Sequence, residues 1–201
     1  MTQKGFLRTV VFLALLAGVS TGAFAQFTIS GGFALSTATA EIEGLDYSAE
    51  GGVGIGGNVY LDYLLPISIP LSLGFEIGVD SATIGISNWE DTVLAIPLLL
   101  RAAYHFDLMP KLDLYAVGKL GYVIGAIVDG PDKDYFKSSG GFGFGIDVGA
   151  AYYFTSIFGL FGETGFDGYM LETKLEGYGT SFTFNTPFYR FVTIGVSVRR
   201  Q

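Results

Sequence analysis

The sequence predicts an all-β fold, an eight-stranded antiparallel up-and-down barrel, and three features of its 201 residues carry that expectation. Half of the residues are hydrophobic, yet past residue 25 no apolar run approaches the ~20 residues a membrane helix needs. Apolar side chains recur instead at every second position, in eight segments. The connections between those segments run long and short in turn.

Composition removes several classes of function. The 30 Gly, 18 Phe and 12 Tyr, with only 15% charged residues, are the reverse of a disordered chain. The absence of Cys excludes a disulfide scaffold, a zinc ribbon and a cysteine nucleophile. Eleven Lys and Arg against 19 Asp and Glu give a net charge of −8, the wrong sign for a phosphate backbone.

The first 25 residues read as an export signal. Lys4 and Arg8 form a basic n-region, Val10 to Val19 an apolar segment too short to span a bilayer, and Ala23-Phe24-Ala25 a small-x-small site. Cleavage is expected between Ala25 and Gln26, leaving residues 26–201 as one barrel domain.

Each strand has one apolar face. Phe27, Ile29, Phe33 and Leu35 open the series, followed by Val53 to Tyr63, Leu71 to Val79, and Leu94 to Phe106. Leu112 to Ile124, Phe142 to Phe154 and Phe158 to Phe166 continue it. In the last strand Phe188, Val192, Ile194, Val196 and Val198 are expected to face away from Tyr189, Phe191, Thr193, Gly195 and Ser197. The long connections are Glu41–Glu50, Ser81–Asp91, Ile127–Gly140 and Gly168–Thr186; the short ones are Pro66–Pro70, Asp107–Lys111 and Thr155–Ile157.

A membrane barrel requires this pattern, because the lipid face must be apolar and every backbone group must pair within a closed sheet. Phe27, Tyr63, Tyr104, Phe106, Tyr152, Phe154 and Phe158 would form an aromatic girdle on the short-turn side. A soluble barrel would need its dry core on the opposite face, which here carries Gly, Ser, Thr, Tyr and charge.

That second face points into a lumen just wide enough for side chains to fill. Its charges are Asp62, Glu76, Asp80, Arg101, Asp113, Lys119, Asp147, Glu163 and Asp167, with His105 near the short-turn end. Turn positions put Arg101 beside Lys119, and two bases in a confined space need acids around them. Glu76, Asp147 and Glu163 stand at similar height, so a network of Glu76, Arg101, Lys119, Asp147 and Glu163 is expected at mid-barrel. It would plug the lumen, with the Gly residues of this face making room for Tyr60, Tyr115, Tyr153 and Arg101.

Residues 26–201 resemble the small bacterial outer-membrane β-barrel families: OmpW/OprG-like, OmpX-like and OmpA transmembrane-domain-like. The resemblance is carried by Ile96-Pro97-Leu98-Leu99-Leu100-Arg101, by Gly141-Phe142-Gly143-Phe144-Gly145, and by the last strand Val192 to Arg199. It implies a diderm outer membrane, loops outside and termini in the periplasm. The implied partners are outer-membrane lipid and, during biogenesis, the barrel-assembly machinery and periplasmic chaperones. The chain departs from these families by ending Arg199-Arg200-Gln201 rather than on an aromatic. By resemblance the expected function is a narrow or gated channel for small, including hydrophobic, solutes; a side opening near Pro97 would favour it. The alternative is a non-conducting structural or adhesive surface protein. Candidate ligands are then a small solute or a host or cell-surface molecule.

Other signals carry less. Gly52-Val53-Gly54-Ile55-Gly56-Gly57 matches a dinucleotide-binding pattern but enters a strand, where no helix N-terminus awaits a pyrophosphate. His105, the one His, is inward and near the periplasmic rim, away from the outer leaflet where barrel lipases and deacylases need their base, which argues against a Ser–His enzyme. No metal cluster, cofactor or catalytic role is expected. The acidic loop residues Glu41, Glu43, Asp46, Asp129, Asp132 and Asp134 read as a solvated surface. The fourth long loop, with Tyr169, Tyr178, Phe182 and Phe184, reads as an aromatic tip or a flap over the mouth.

Overall fold

The computed structural model describes residues 26–42, 48–86, 89–130, 139–174 and 181–200. The leader expected over 1–25 and its cleavage site lie outside them, apart from Gln26. Ten strands fill most of the described chain: β1 (Gln26–Ala38), β2 (Ala40–Ile42), β3 (Ser48–Gly51), β4 (Val53–Leu64), β5 (Leu71–Ile86), β6 (Trp89–Met109), β7 (Leu112–Asp129), β8 (Ser139–Tyr153), β9 (Phe158–Lys174) and β10 (Ser181–Arg200). One residue separates β1 from β2 and β3 from β4, so the ten strands make eight staves. All pairings are antiparallel, and β1 bonds to both β4 and β10, which closes the barrel. Among the described residues, no helix is long and apolar enough to cross a membrane.

The alternation of the sequence becomes the two faces of the wall, because successive side chains leave a strand on opposite sides. Ile29, Phe33, Val59, Phe75, Leu100, Leu120, Ile146 and Ile194 stand exposed on the outside. A continuous apolar exterior of this extent is unstable in water and is what a bilayer solvates. The girdle is present: Phe27, Tyr104, Phe106, Tyr152, Phe154 and Phe158 are exposed at one end, with the Phe27 ring tilted against half-buried Tyr63, centroids 4.9 Å apart.

At that end the turns are short and self-bonded. Leu65 N donates to Leu71 O at 2.9 Å across the Pro66–Pro70 turn, and Thr155 Oγ1 accepts from Ile157 N and Phe158 N at 3.2 and 2.8 Å. At the other end the strands run further than the sequence periodicity suggests. β5 and β6 continue to Ile86 and resume at Trp89, through the segment expected as a loop. β9 and β10 likewise run to Lys174 and from Ser181. Polar residues there hide the period-two signal, but the backbone still gains partners by continuing the ladder.

β10 differs from expectation in phase. Tyr189 and Phe191 are exposed on the lipid side, while Arg190 and Thr193 are buried in the lumen. The cause is a β-bulge: Arg190 pairs with Gly165 and Thr193 with Glu163, so Phe191 and Val192 together oppose Thr164. The extra residue resets the alternation, and a strict period of two cannot cross it.

Candidate functional site: a charged layer across the lumen

Seven of the eight staves send ionised side chains to one level of the barrel, six carboxylates meeting three cations. Arg101 and Lys119 are cross-strand partners. Arg101 places Nη1 3.0 Å from Glu76 Oε2, Nη2 2.8 Å from Glu163 Oε1 and Nε 3.5 Å from Asp62 Oδ1. Its guanidinium also lies over the Tyr60 ring, 3.9 Å from the centroid. Lys119 Nζ is 2.6 Å from both Asp147 Oδ2 and Asp167 Oδ1, and 3.6 Å from Glu76 Oε2. Glu76 is thus shared by both bases, and Asn58 Nδ2 donates to its Oε1 at 2.6 Å.

The third cation is Arg190, which the sequence periodicity misses. Its Nη1 is 3.3 Å from Glu76 Oε1, and its Nη2 lies 3.4 Å from Asp80 Oδ2 and 2.9 Å from Asp167 Oδ2. The signal for it was present: unbroken alternation through β10 would set an arginine in lipid, at a cost of about 2–4 kcal/mol near mid-membrane. A bulge removes that conflict. Asp80 also accepts from the Tyr169 hydroxyl at 3.0 Å.

Glycine makes the room. Asp80 faces Gly56, Asp62 faces Gly74, Asp147 faces Gly165 and Asp167 faces Gly145 across neighbouring strands. A Cβ at any of those four glycines would collide with the carboxylate opposite. The small residues are therefore filled space, not a channel.

Packed side chains flank the layer on both sides. Toward the long connections, Ala38, Ala82, Ala95, Leu99, Val123, Tyr169 and Leu171 form a buried apolar cluster. Tyr169, expected in an aromatic loop, is instead a lumen side chain of β9; Tyr178 lies outside the described residues, and Phe182 and Phe184 are in β10. Of the acidic loop residues, Glu41 is in β2 and Asp129 ends β7, exposed; Glu43, Asp46, Asp132 and Asp134 lie outside the described residues. Pro97 cannot donate to the ladder, and the β5–β6 pairing skips Gly78 and Val79 while keeping register. No side opening results at Gly78, because the buried Pro97 ring packs there, 3.3 Å from where a Cβ would stand.

Toward the short turns, Tyr60, Ala151, Tyr153 and Phe161 pack together with Tyr115 against them. Below them a cavity of about 410 Å³ opens at the barrel mouth, lined by Asp62, Ser72, His105, Asp113 and Arg199 among others.

An apolar exterior around an ion-filled interior, in an eight-stave closed sheet, defines the chain as a β-barrel of the small outer-membrane type. Neisserial surface protein A (NspA) has the same fold at 16% identity, over 87% of this chain and 98% of that one, with a TM-score of 0.51. The outer membrane protein OprG from Pseudomonas aeruginosa matches at 14% identity, 88% and 96% coverage and a TM-score of 0.54. A major outer membrane protein from Thermus thermophilus matches at 16% identity, 88% and 100% coverage and a TM-score of 0.55. No protein-family model matches the chain, and no curated protein sequence does.

Proposed function

We propose that this chain is an integral outer-membrane protein whose barrel is sealed in its resting state and acts through its two ends. One observation carries the reading: the charged layer is paired within the lumen and closed toward the long connections by packed side chains. Opening a path would separate Glu76 from three cations and also displace Leu99, Val123 and Tyr169. Under this reading the leader directs export, the short turns and termini face the periplasm, and the longer hairpins face outward.

A gated narrow channel for small solutes is the second reading. It is favoured by the cavity, which already leads from the short-turn mouth up to the charged layer. Ion conductance in a planar bilayer separates the two, using protein extracted from membranes expressing the full chain. The sealed reading expects silence from the wild type and from folded Arg101→Ala and Lys119→Ala variants. Conductance in the variants alone would make the charged layer a gate, and conductance in the wild type would overturn the sealed barrel.

A further inference from the structure

The cavity at the short-turn mouth holds a polar constellation distinct from the charged layer. Ser72 lies near the start of β5, His105 near the end of β6 and Asp113 near the start of β7, and all three line the cavity. Ser72 Oγ is 2.9 Å from His105 Nε2. His105 Nδ1 is 2.9 and 3.0 Å from the two Asp113 carboxylate oxygens. A carboxylate has no hydrogen to give, so Nδ1 donates to Asp113. That tautomer leaves Nε2 as the acceptor of the Ser72 hydroxyl proton.

The backbone fixes this chain of contacts. Ser72 pairs with Ala103 and His105 with Tyr115, so the three residues lie on a diagonal across three hydrogen-bonded strands. His105 N donates to Pro70 O at 2.9 Å, and the Tyr115 ring lies 5.8 Å from the imidazole. Nucleophile, base and orienting acid stand at the separations that covalent acyl transfer uses, on rigid elements and beside a space of ligand size.

We propose that Ser72, His105 and Asp113 form an acyl-transfer site that hydrolyses small carboxylic esters in the barrel mouth. Ser72 Oγ bonds to the ester carbonyl carbon as its proton passes to His105 Nε2. The bond to the alcohol oxygen breaks as His105 returns that proton to the departing alkoxide. Water then attacks the acyl-serine, giving its proton to His105, and Ser72 leaves as the proton returns to its oxygen. One ester and one water become one acid and one alcohol, with no change in oxidation state. Asp113 is a positioning residue, holding the imidazole in the tautomer that accepts. Leu64, Ala103, Leu112 and Phe161 give the acyl group an apolar wall. The mouth lies at the short-turn end, so the substrates are small soluble esters rather than outer-leaflet lipids.

The test uses detergent-extracted protein from the full chain, treated with a fluorophosphonate reporter and separately with p-nitrophenyl acetate. The reporter is expected on Ser72, located by peptide mass spectrometry, with none on Ser30 or Ser197 of the same cavity. Ser72→Ala should abolish labelling and ester hydrolysis. His105→Gln and Asp113→Asn should slow both at least tenfold, while Asp113→Glu restores part of the rate and all variants keep heat-resistant gel mobility. A folded wild type unlabelled at Ser72, or labelled no more slowly in Asp113→Asn, would reduce the three residues to a brace for the turn and overturn the proposal.

Discussion

Glu76 contacts Arg101, Lys119 and Arg190 together, and Lys119 in turn separates Asp147 from Asp167. Removing one partner from such a cluster is not equivalent to removing both together. Lys119→Met leaves two buried carboxylates facing each other with no cation between them. Its expected cost is about 3–5 kcal/mol, read as a lowered urea midpoint in lipid vesicles, and adding Asp147→Asn should recover part of it. Packing gives a second residue-scale expectation. A Cβ at Gly145 would collide with the Asp167 carboxylate and the Lys119 stem, whereas at Gly118 it meets nothing within 4 Å. Gly145→Ala should therefore cost about 1–3 kcal/mol, and Gly118→Ala close to nothing, in the same unfolding assay. Most of the charged layer was legible because Asp, Glu, Lys or Arg at an inward position of an alternating strand has nowhere else to point. The Ser72–His105–Asp113 diagonal was not, because it depends on how far each strand is staggered against the next, and residue spacing along one chain does not contain that.

At the scale of the strand, the bulge in β10 decides which face Arg190 occupies. Phe191 and Val192 share one partner position, so the strand carries one residue more than its neighbours need. Deleting Val192 leaves Arg190 inward, Phe191 outward and Thr193 inward, which is ordinary alternation. That deletion is expected to fold, with heat-resistant gel mobility and protease protection like the wild type. Deleting Val148 from β8, where pairing is unbroken, reverses half of the strand and drives either Asp147 or Ala151 to the wrong face. It is expected to lose both signatures. The bulge explains why the last strand departs from the expected phase: period-two reasoning needs a fixed phase, and a bulge is invisible until the partner strand is known. The strand extensions past Asp80 and Gly168 escaped for another reason. Outside the bilayer neither face must be apolar, so pairing continues with no hydrophobic mark in the sequence.

The whole barrel inverts the usual order of a protein, oil outside and ions within. Ile146 stands exposed on the wall next to Asp147 of the charged layer, so it sits near mid-height. Ile146→Lys should cost about 2–4 kcal/mol in vesicles, while Ile67→Lys in the short turn, outside the hydrocarbon, should cost about 0–1 kcal/mol. A soluble barrel would show the opposite preference. This inversion was the most legible property of all, since hydropathy and alternation both act on every strand and no single irregularity can mask them.

The spread of charge over seven staves bears on how the sheet closes. While the seam between β1 and β10 stays open, water reaches the interior and each ion is separately hydrated, so little is lost if a pair is missing. Once that seam zips, the layer dries, and each carboxylate must already have its cation. A β10 slipped by two residues would still turn its apolar face to the lipid. It would, however, carry Arg190 about 7 Å along the wall, away from Asp80 and Asp167, and strand a guanidinium and two acids in a dry space. The interior thus proofreads the final zipper, rejecting a misalignment that the membrane-facing surface alone would accept.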